Sequence, residues 1–527
     1  MSILRAAVFA ALFVLTPICA RAQDITLTSQ DGAMSLSGVL VGYDGEFYRV
    51  ETEFGVLTLD GSGVICSGPA CPNLDGYVAE ISVSGARTVG DVLLPSLFER
   101  FATRHGYTVT REVESNRDFT LVLKQSGQDT EVARIDFALG NSDQGLARFV
   151  SGETDFALSL REANEDEIKI AREAGLGDLR SSRVARIIGL DGVVPIVSKR
   201  NTVTSISLEQ TSKVLAGEIK NWQELGGIDA PIVLHLREDG SGALERAVSQ
   251  ILTDEDSELA QSRRHTSNAS LSAAVTRDPF ALGIVSHSEI GNSRSLALLG
   301  GCGFPFMASH STIKSEDYPL TSPLFLYTPA RRLPKIIREF MAFMSTPSAE
   351  QIVEASGFVN QASIEIPMAD QGERLANAVL QAGDEVSLSD VQEMVGALRS
   401  ARRLSTTFRF EAGSSLLDAQ SRANVSKLAE ELEAGLFEDR KLLFVGFSDG
   451  DGGAAANRRI AMRRAQAVRA AVLKEASLFD PERMEIGELA FGEAMPMACD
   501  DTEWGRQVNR RVEVWLAPVK DTLPREN

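Results

Sequence analysis

Arg237, Asp239, Ser241 and Gly242 fall within one seven-residue run, Arg237-Glu238-Asp239-Gly240-Ser241-Gly242-Ala243, and their combined chemistry is that of an oxyanion seat. The run follows a strand-like stretch (residues 231–236) and precedes a helix-like one (residues 244–248). A strand, a glycine-rich turn and a helix start together expose several backbone N–H groups at the positive end of a helix dipole. Gly240 and Gly242 permit close backbone approach, Ser241 adds a hydroxyl, and Arg237 can fork onto an anion. Asp239 has two useful roles beside an anion: to hold Arg237 in place, or to accept a proton from a protonated ligand.

A second constellation lies near the C terminus. Gly446-Phe447-Ser448-Asp449-Gly450 has the letters of a nucleophile elbow, but such a triad needs a downstream histidine, and His310 is the last in the chain. Hydrolysis is therefore rejected. Asp449 followed by Arg464 offers one anion and one cation, a pair suited to a zwitterionic amino acid. No cysteines lie at C-x2-C spacing and no histidine pair completes a zinc site. Neither catalytic residue, metal nor cofactor is expected.

These residues must be positioned by a chain of 527 residues that is 43 % hydrophobic, enough for several cores. Its net charge of −20 argues against nucleic acid and anionic membranes as partners. It does not exclude a small anion, because surface charges are screened beyond about 8–10 Å. Residues 1–22 read as a signal peptide: Arg5, an apolar stretch at 6–15, and a small-x-small site at Ala20-Arg21-Ala22. No later segment reads as a membrane helix. Of the four remaining cysteines, Cys66 and Cys71 close a short loop and are expected to pair; the arrangement of Cys302 and Cys499 is left open.

The expected fold class is α/β multidomain. Residues 23–76 alternate apolar and polar between turns, as in a small β-barrel-like, all-β module. Strands and helices alternate over 77–365. A helical connector spans 366–403, an α/β sandwich spans 404–518, and 519–527 is a tail.

The region 77–365 resembles the periplasmic substrate-binding proteins of phosphate ABC transporters. The resemblance rests on ordered pieces: Ser84-Gly85-Ala86-Arg87-Thr88-Val89; Gly140-Asn141-Ser142-Asp143-Gln144-Gly145; Gly152 to Ser159; Leu208-Glu209-Gln210 with Gly217-Glu218-Ile219-Lys220-Asn221-Trp222 and Gly226-Gly227; the Arg237 turn; and Asp278-Pro279-Phe280-Ala281-Leu282-Gly283. It implies a two-lobed periplasmic-binding-protein fold of type 2. Lobe I would comprise about 77–188 and 286–365, and lobe II about 189–285. Phosphate would be enclosed between the lobes by Thr88, Ser142, Arg237, Asp239, Ser241 and Gly242. Two departures stand out. The family's enclosed carboxylate falls at Leu160, followed by Arg161, and its last loop threonine falls at Ala243. Losing an acceptor and gaining a guanidinium relaxes the demand for a protonated ligand, so another oxyanion stays open.

Residues 404–518 resemble the OmpA-like peptidoglycan-binding fold through Ser448-Asp449, Asn457-x-x-Ile460-Ala461-x-x-Arg464-Ala465 and Gly505-Arg506-x-x-Asn509-Arg510-Arg511-Val512. The resemblance implies that Asp449 and Arg464 clasp the diaminopimelate of the wall peptide, with Asn457 and Arg510 as further contacts. Together the two resemblances imply a non-enzymatic periplasmic binder held at the cell wall and outer membrane, with an ABC permease as candidate partner. The alternative is a structural or sensory envelope protein without transport use.

Overall fold

The computed structural model describes residues 24–519 apart from 74–75, 116, 239–250, 252–258, 301–304, 384, 412–413, 415, 481, 483 and 502. The leader at 1–22, Asp239, Ser241, Gly242, Ala243, Cys302 and most of the tail lie outside the described residues. Residues up to Ala79 together with Arg332–Glu339 form one compact unit, and Glu80–Arg331 with the chain from Phe340 form another.

Period-2 alternation builds the first unit. Its strands are β1 (Ile25–Ser29), β2 (Ser35–Tyr43), β3 (Phe47–Thr52), β4 (Gly55–Asp60) and β5 (Val64–Ser67). They form one antiparallel sheet in the order β4-β3-β2-β1-β5. Alternate residues Ile25 and Leu27 of β1 and Tyr48 and Val50 of β3 make its core. The expected barrel is a sheet with two edges, since no ladder joins β4 to β5 among the described residues. All of β4 except Leu59 is exposed, so it presents no buried face on which a barrel could close. Cys66 and Cys71 are disulfide-bonded, as their spacing predicts. The unit also recruits a later segment: Arg332 and Arg338 both pair with Asp44 and Glu46.

In the second unit, β6 (Ala79–Ala86), β7 (Tyr107–Val113), β8 (Asp118–Gln125), β9 (Glu131–Gly140), β10 (Phe156–Ser159), β11 (Ala185–Val197) and β12 (Ser205–Ser207) come first. They are followed by β13 (Val233–Arg237), β14 (Arg263–His265), β15 (Ala281–Ser286), β16 (Arg294–Ser295), β17 (Ala297–Leu299), β18 (Pro305–Phe306) and β19 (Thr321–Tyr327). The main sheet runs β14-β13-β15-β11-β19-β10-β6-β9-β8-β7. At 13 residues β11 is long enough to serve two halves. Ala185 to Gly192 pair with β19, and Val193 to Val197 pair with β15, so the chain crosses between halves at Gly192/Val193.

Much of the signature at 208–283 proves to be local architecture. Ser207 and Gln210 form a capping box at the start of the helix Leu208–Leu215. Asn221 and Glu224 cap the next turn in the same way, and Trp222 is buried with its Nε1–H donated to the Phe280 carbonyl at 2.9 Å. Asp278 accepts from the Phe280 amide at 2.9 Å, which closes the turn before β15.

The C-terminal sheet is β20 (Glu365–Pro367), β21 (Arg402–Arg409), β22 (Arg440–Phe447), β23 (Ile486–Gly492) and β24 (Arg511–Pro518), in the order β20-β21-β24-β22-β23. Helices Ala419–Glu433 and Ala454–Glu475 cover one face through Leu428, Leu432, Val468 and Val472. The expected connector does not stand apart from this sheet. Its two helices, Gly372–Gln381 and Leu388–Leu398, lay Ala378, Val391, Met394 and Leu398 on the opposite face against Leu443, Val445 and Trp515. β20 extends the sheet by pairing with β21, so the C-terminal layer structure begins near Glu365 and not at 404. Both faces of β22 are apolar, and a second helical layer is needed to bury the face that carries Leu443 and Val445.

Candidate functional site

β6, β9 and β10 end at one edge of the first half-sheet; the turns after β6 and β9 carry the predicted ligands Thr88 and Ser142, and the turn after β10 carries Leu160 and Arg161. At β6, Gly85 lies against Leu158 of β10: it has φ +118°, and a Cβ there would come within 2.1 Å of the Leu158 carbonyl oxygen. A Cβ on Gly145 would in turn meet the Gly85 Cα at 2.6 Å. The two glycines let the turn at Arg87–Thr88 and the helix Ser142–Val150 approach each other closely. Thr88 opens the helical segment after β6, and its hydroxyl makes no capping hydrogen bond.

Ser142 follows the Asn141/Gln144 capping box and is 3 % exposed. Its Oγ accepts from the Leu160 amide at 3.0 Å, which leaves the hydroxyl hydrogen to be donated elsewhere. Arg161, expected to add positive charge, is instead consumed locally. It donates to Asp143 (Nε, 2.9 Å) and to Glu167 (Nη1, 2.8 Å; Nη2, 2.7 Å), and the Glu167 pairing is the main reason its pKa is raised. With Leu160 buried and apolar, this turn offers neither the family's acceptor nor a free cation.

Arg237 ends β13 in the other half. Its Nη1 is buried and has no hydrogen-bond partner among the described residues. Burial lowers its pKa, with Glu289 opposing and the charge of Arg87 adding to the depression. Arg87 itself pairs with Asp91 at 3.2 Å. Behind Arg237, His235 Nδ1 and His265 Nε2 lie 2.9 Å apart, and burial pushes His235 down to about 4. Both imidazoles are therefore neutral at pH 7 and add no charge. Thr88 and Ser142 thus share one edge of the first half-sheet, with Arg237 at a strand end in the other half. Asp239, Ser241 and Gly242, the rest of the predicted set, lie outside the described residues.

Sequence reasoning missed Asp191. It sits on β11 just before the crossing, fully buried, and accepts from the Gly192 amide (2.8 Å), the Ser288 amide (3.3 Å) and the hydroxyls of Ser286 and Ser288. Burial raises it to about 6 against the pull of these donors. Gly189-Leu190-Asp191-Gly192 reads as a crossing strand, but nothing in its letters says that the carboxylate turns inward.

In the C-terminal sheet, Asp449 follows β22 and accepts from Arg510 Nη1 at 3.0 Å; Arg510 Nη2 reaches Glu503 at 2.6 Å. The direct partner of Asp449 is therefore Arg510, where the sequence pattern pairs Asp449 with Arg464. Arg464 lies close enough for the Asp449 charge to act on it. Burial lowers its pKa, its Nη1 is buried without a partner, and its guanidinium sits over the Phe410 ring at 5.2 Å. Ser448 Oγ is likewise buried and unpartnered. Asn457 is 1 % exposed and donates to the Gly452 carbonyl at 3.1 Å, so it fixes the loop at 450–453 from beneath. Arg511 is buried against Glu513 at 2.7 Å and belongs to the core.

Residues 75–348 match the PBP superfamily domain, and residues 409–510 match the OmpA family. Among named relatives, the phosphate-binding protein PstS of Borreliella burgdorferi is 27 % identical over 212 residues, 38 % of this chain and 71 % of that protein. PstS of Bacillus subtilis is 25 % identical over 228 residues, 43 % of this chain and 71 % of that one. A putative phosphate ABC transporter substrate-binding protein from Clostridium perfringens, solved with bound phosphate, covers 53 % of this chain and 99 % of its own at 22 % identity, with a TM-score of 0.41. The peptidoglycan-associated lipoprotein of Burkholderia pseudomallei covers 21 % of this chain and 89 % of its own at 24 % identity, with a TM-score of 0.19. With just over half of its length matched, the chain belongs to the PBP superfamily, and it carries an OmpA-family domain at its C-terminal end.

Proposed function

We propose that this protein captures hydrogenphosphate or a related oxyanion between two lobes, while its C-terminal domain holds it on peptidoglycan in the periplasm. The observation that carries the first half is Arg237, whose buried Nη1 has no partner. A buried guanidinium N–H without an acceptor is costly, the Glu289 charge offsets this only in part, and an oxyanion bound there supplies the missing acceptor. Ser142 supports the reading, since its hydroxyl hydrogen is uncommitted while its oxygen is occupied. The relatives named as phosphate-binding proteins point the same way. Capture is reversible and breaks no covalent bond; closure is favoured by the ligand's extra affinity for the closed state.

The wall-binding half rests on Asp449, Arg464 and Arg510. One carboxylate and two guanidiniums can receive the ammonium and carboxylate of diaminopimelate. Titration calorimetry of the full chain with phosphate, sulfate and arsenate tests the first half. Binding of phosphate is expected, and absence of heat with all three ends the proposal. Co-sedimentation with sacculi tests the second.

A further inference from the structure

A cavity of about 360 Å³ lies where the binding region, the segment 364–374 and the C-terminal sheet meet, away from both sites described above. Residues of 305–317 and 364–374, with Arg403 and Met497, supply its walls, so it belongs to neither matched family alone. Its volume falls within the range of small-molecule sites. The buried floor contains Arg374 and Arg403, yet neither is available to an anion. Arg374 donates to Gln371 Oε1 (2.5 Å), to Met497 Sδ (3.1 Å) and to Glu513; Arg403 is engaged by Asp317 and Thr407.

What the floor does offer is Gln371. The residue is 3 % exposed and lines the cavity; its Oε1 is taken by Arg374, and its Nε2 is buried with no partner. A buried amide N–H without an acceptor is costly, so a ligand oxygen is favoured there. Phe306, Ile366 and Met497 make apolar walls. At the exposed rim stand Asp370 and Glu373, neither of which has an ion-pair partner among the described residues.

We propose that this cavity binds an amphipathic amine: an acyl or similar acceptor oxygen on Gln371, an apolar body between Phe306 and Met497, and an ammonium at Asp370 and Glu373. An anion of the same length is disfavoured twice, by the rim carboxylates and because the charges of Arg374 and Arg403 are already paired with Glu513 and Asp317.

The test uses the full chain with methionine methyl groups labelled with carbon-13, and three probes of equal length. These are N-acetylcadaverine, the neutral N-hexylacetamide and the anionic 5-acetamidopentanoate. A ligand of about 10 heavy atoms is expected to bind in the millimolar range. N-acetylcadaverine is expected to shift the Met497 and Met307 methyl signals in that range, with the anionic probe about fivefold weaker or worse. The surface double variant Asp370→Asn/Glu373→Gln, which leaves the floor intact, is expected to bring N-acetylcadaverine down to the neutral probe. Equal binding of all three probes, unchanged affinity in the double variant, or no shift at Met497 would each overturn the proposal.

Discussion

Arg403 donates to both carboxylate oxygens of Asp317, at 2.6 and 3.0 Å, and the two residues come from different parts of the chain: β21 of the C-terminal sheet and the loop before β19. Arg403 also lies 3.5 Å from Glu513, which in turn accepts from Arg374 and Arg511. Phe306 and Trp504 meet edge to face at 5.9 Å nearby, and Met497 and Val508 join the core of the binding region. The C-terminal OmpA-family domain is thus docked against the PBP superfamily domain through desolvated charge and apolar packing.

Asp317→Asn is expected to lower stability by about 3–5 kcal/mol, because it leaves Arg403 buried beside an uncharged group. Urea unfolding of the full chain measures this. Burial alone would raise the Asp317 pKa, but Arg403, Arg374 and Arg409 outweigh it and hold it down at about 2. Its contribution to stability is therefore complete above the ordinary carboxylate range near pH 4. It should be lost as pH falls towards 2, and the Asn variant should lack that part of the acid dependence.

Arg237→Ala should weaken oxyanion binding by about 10- to 150-fold, the worth of one charge-assisted hydrogen bond at about 1.5–3 kcal/mol. Arg237→Lys should fall between, since an ammonium keeps the charge but not the fork. Calorimetric affinities of both variants decide; an Ala variant that binds like the parent contradicts the assignment.

Leu160→Asp should raise the preference for hydrogenphosphate over sulfate by about tenfold or more. It supplies an acceptor that only a protonated oxyanion can satisfy. The parent protein, with Leu160 apolar and Arg161 tied to Asp143 and Glu167, should discriminate poorly between the two anions. Competition titrations of phosphate against sulfate give both ratios.

Arg464→Ala and Asp449→Ala should each abolish co-sedimentation with cell-wall sacculi. They should differ in stability, though. Arg464 Nη1 has no partner to leave behind, whereas removing Asp449 frees Arg510 from an ion pair shielded from solvent. Retention on sacculi by both variants contradicts the wall-binding assignment.

The order of strands and helices was legible because capping and turn chemistry is local: Asn141 with Gln144, Ser207 with Gln210, and Asn221 with Glu224 sit at fixed spacings and act within one turn. Thr88, Ser142 and Arg237 were legible as turn residues following strands. The partner of Asp449 was not, because Arg464 and Arg510 are both arginines within reach, and only the path of β24 decides which of them forks onto it. The fate of Arg161 was misread for a similar reason. Asp143 lies 18 residues upstream, and the turn after β10 brings it alongside. The connector's role was hidden because helices with an apolar stripe look alike whether they link two domains or cover one face of a sheet.

β20 is only three residues long, yet it occupies the outer flank of β21. A recombinant fragment started at Leu404 would begin inside β21, discard Arg402 and Arg403, and leave the backbone of Leu404 and Ser405 without the partners that Glu365 and Ile364 supply. Such a truncation invites strand-to-strand sticking between copies. Anyone preparing the C-terminal domain in isolation should cut upstream of Ile364 instead.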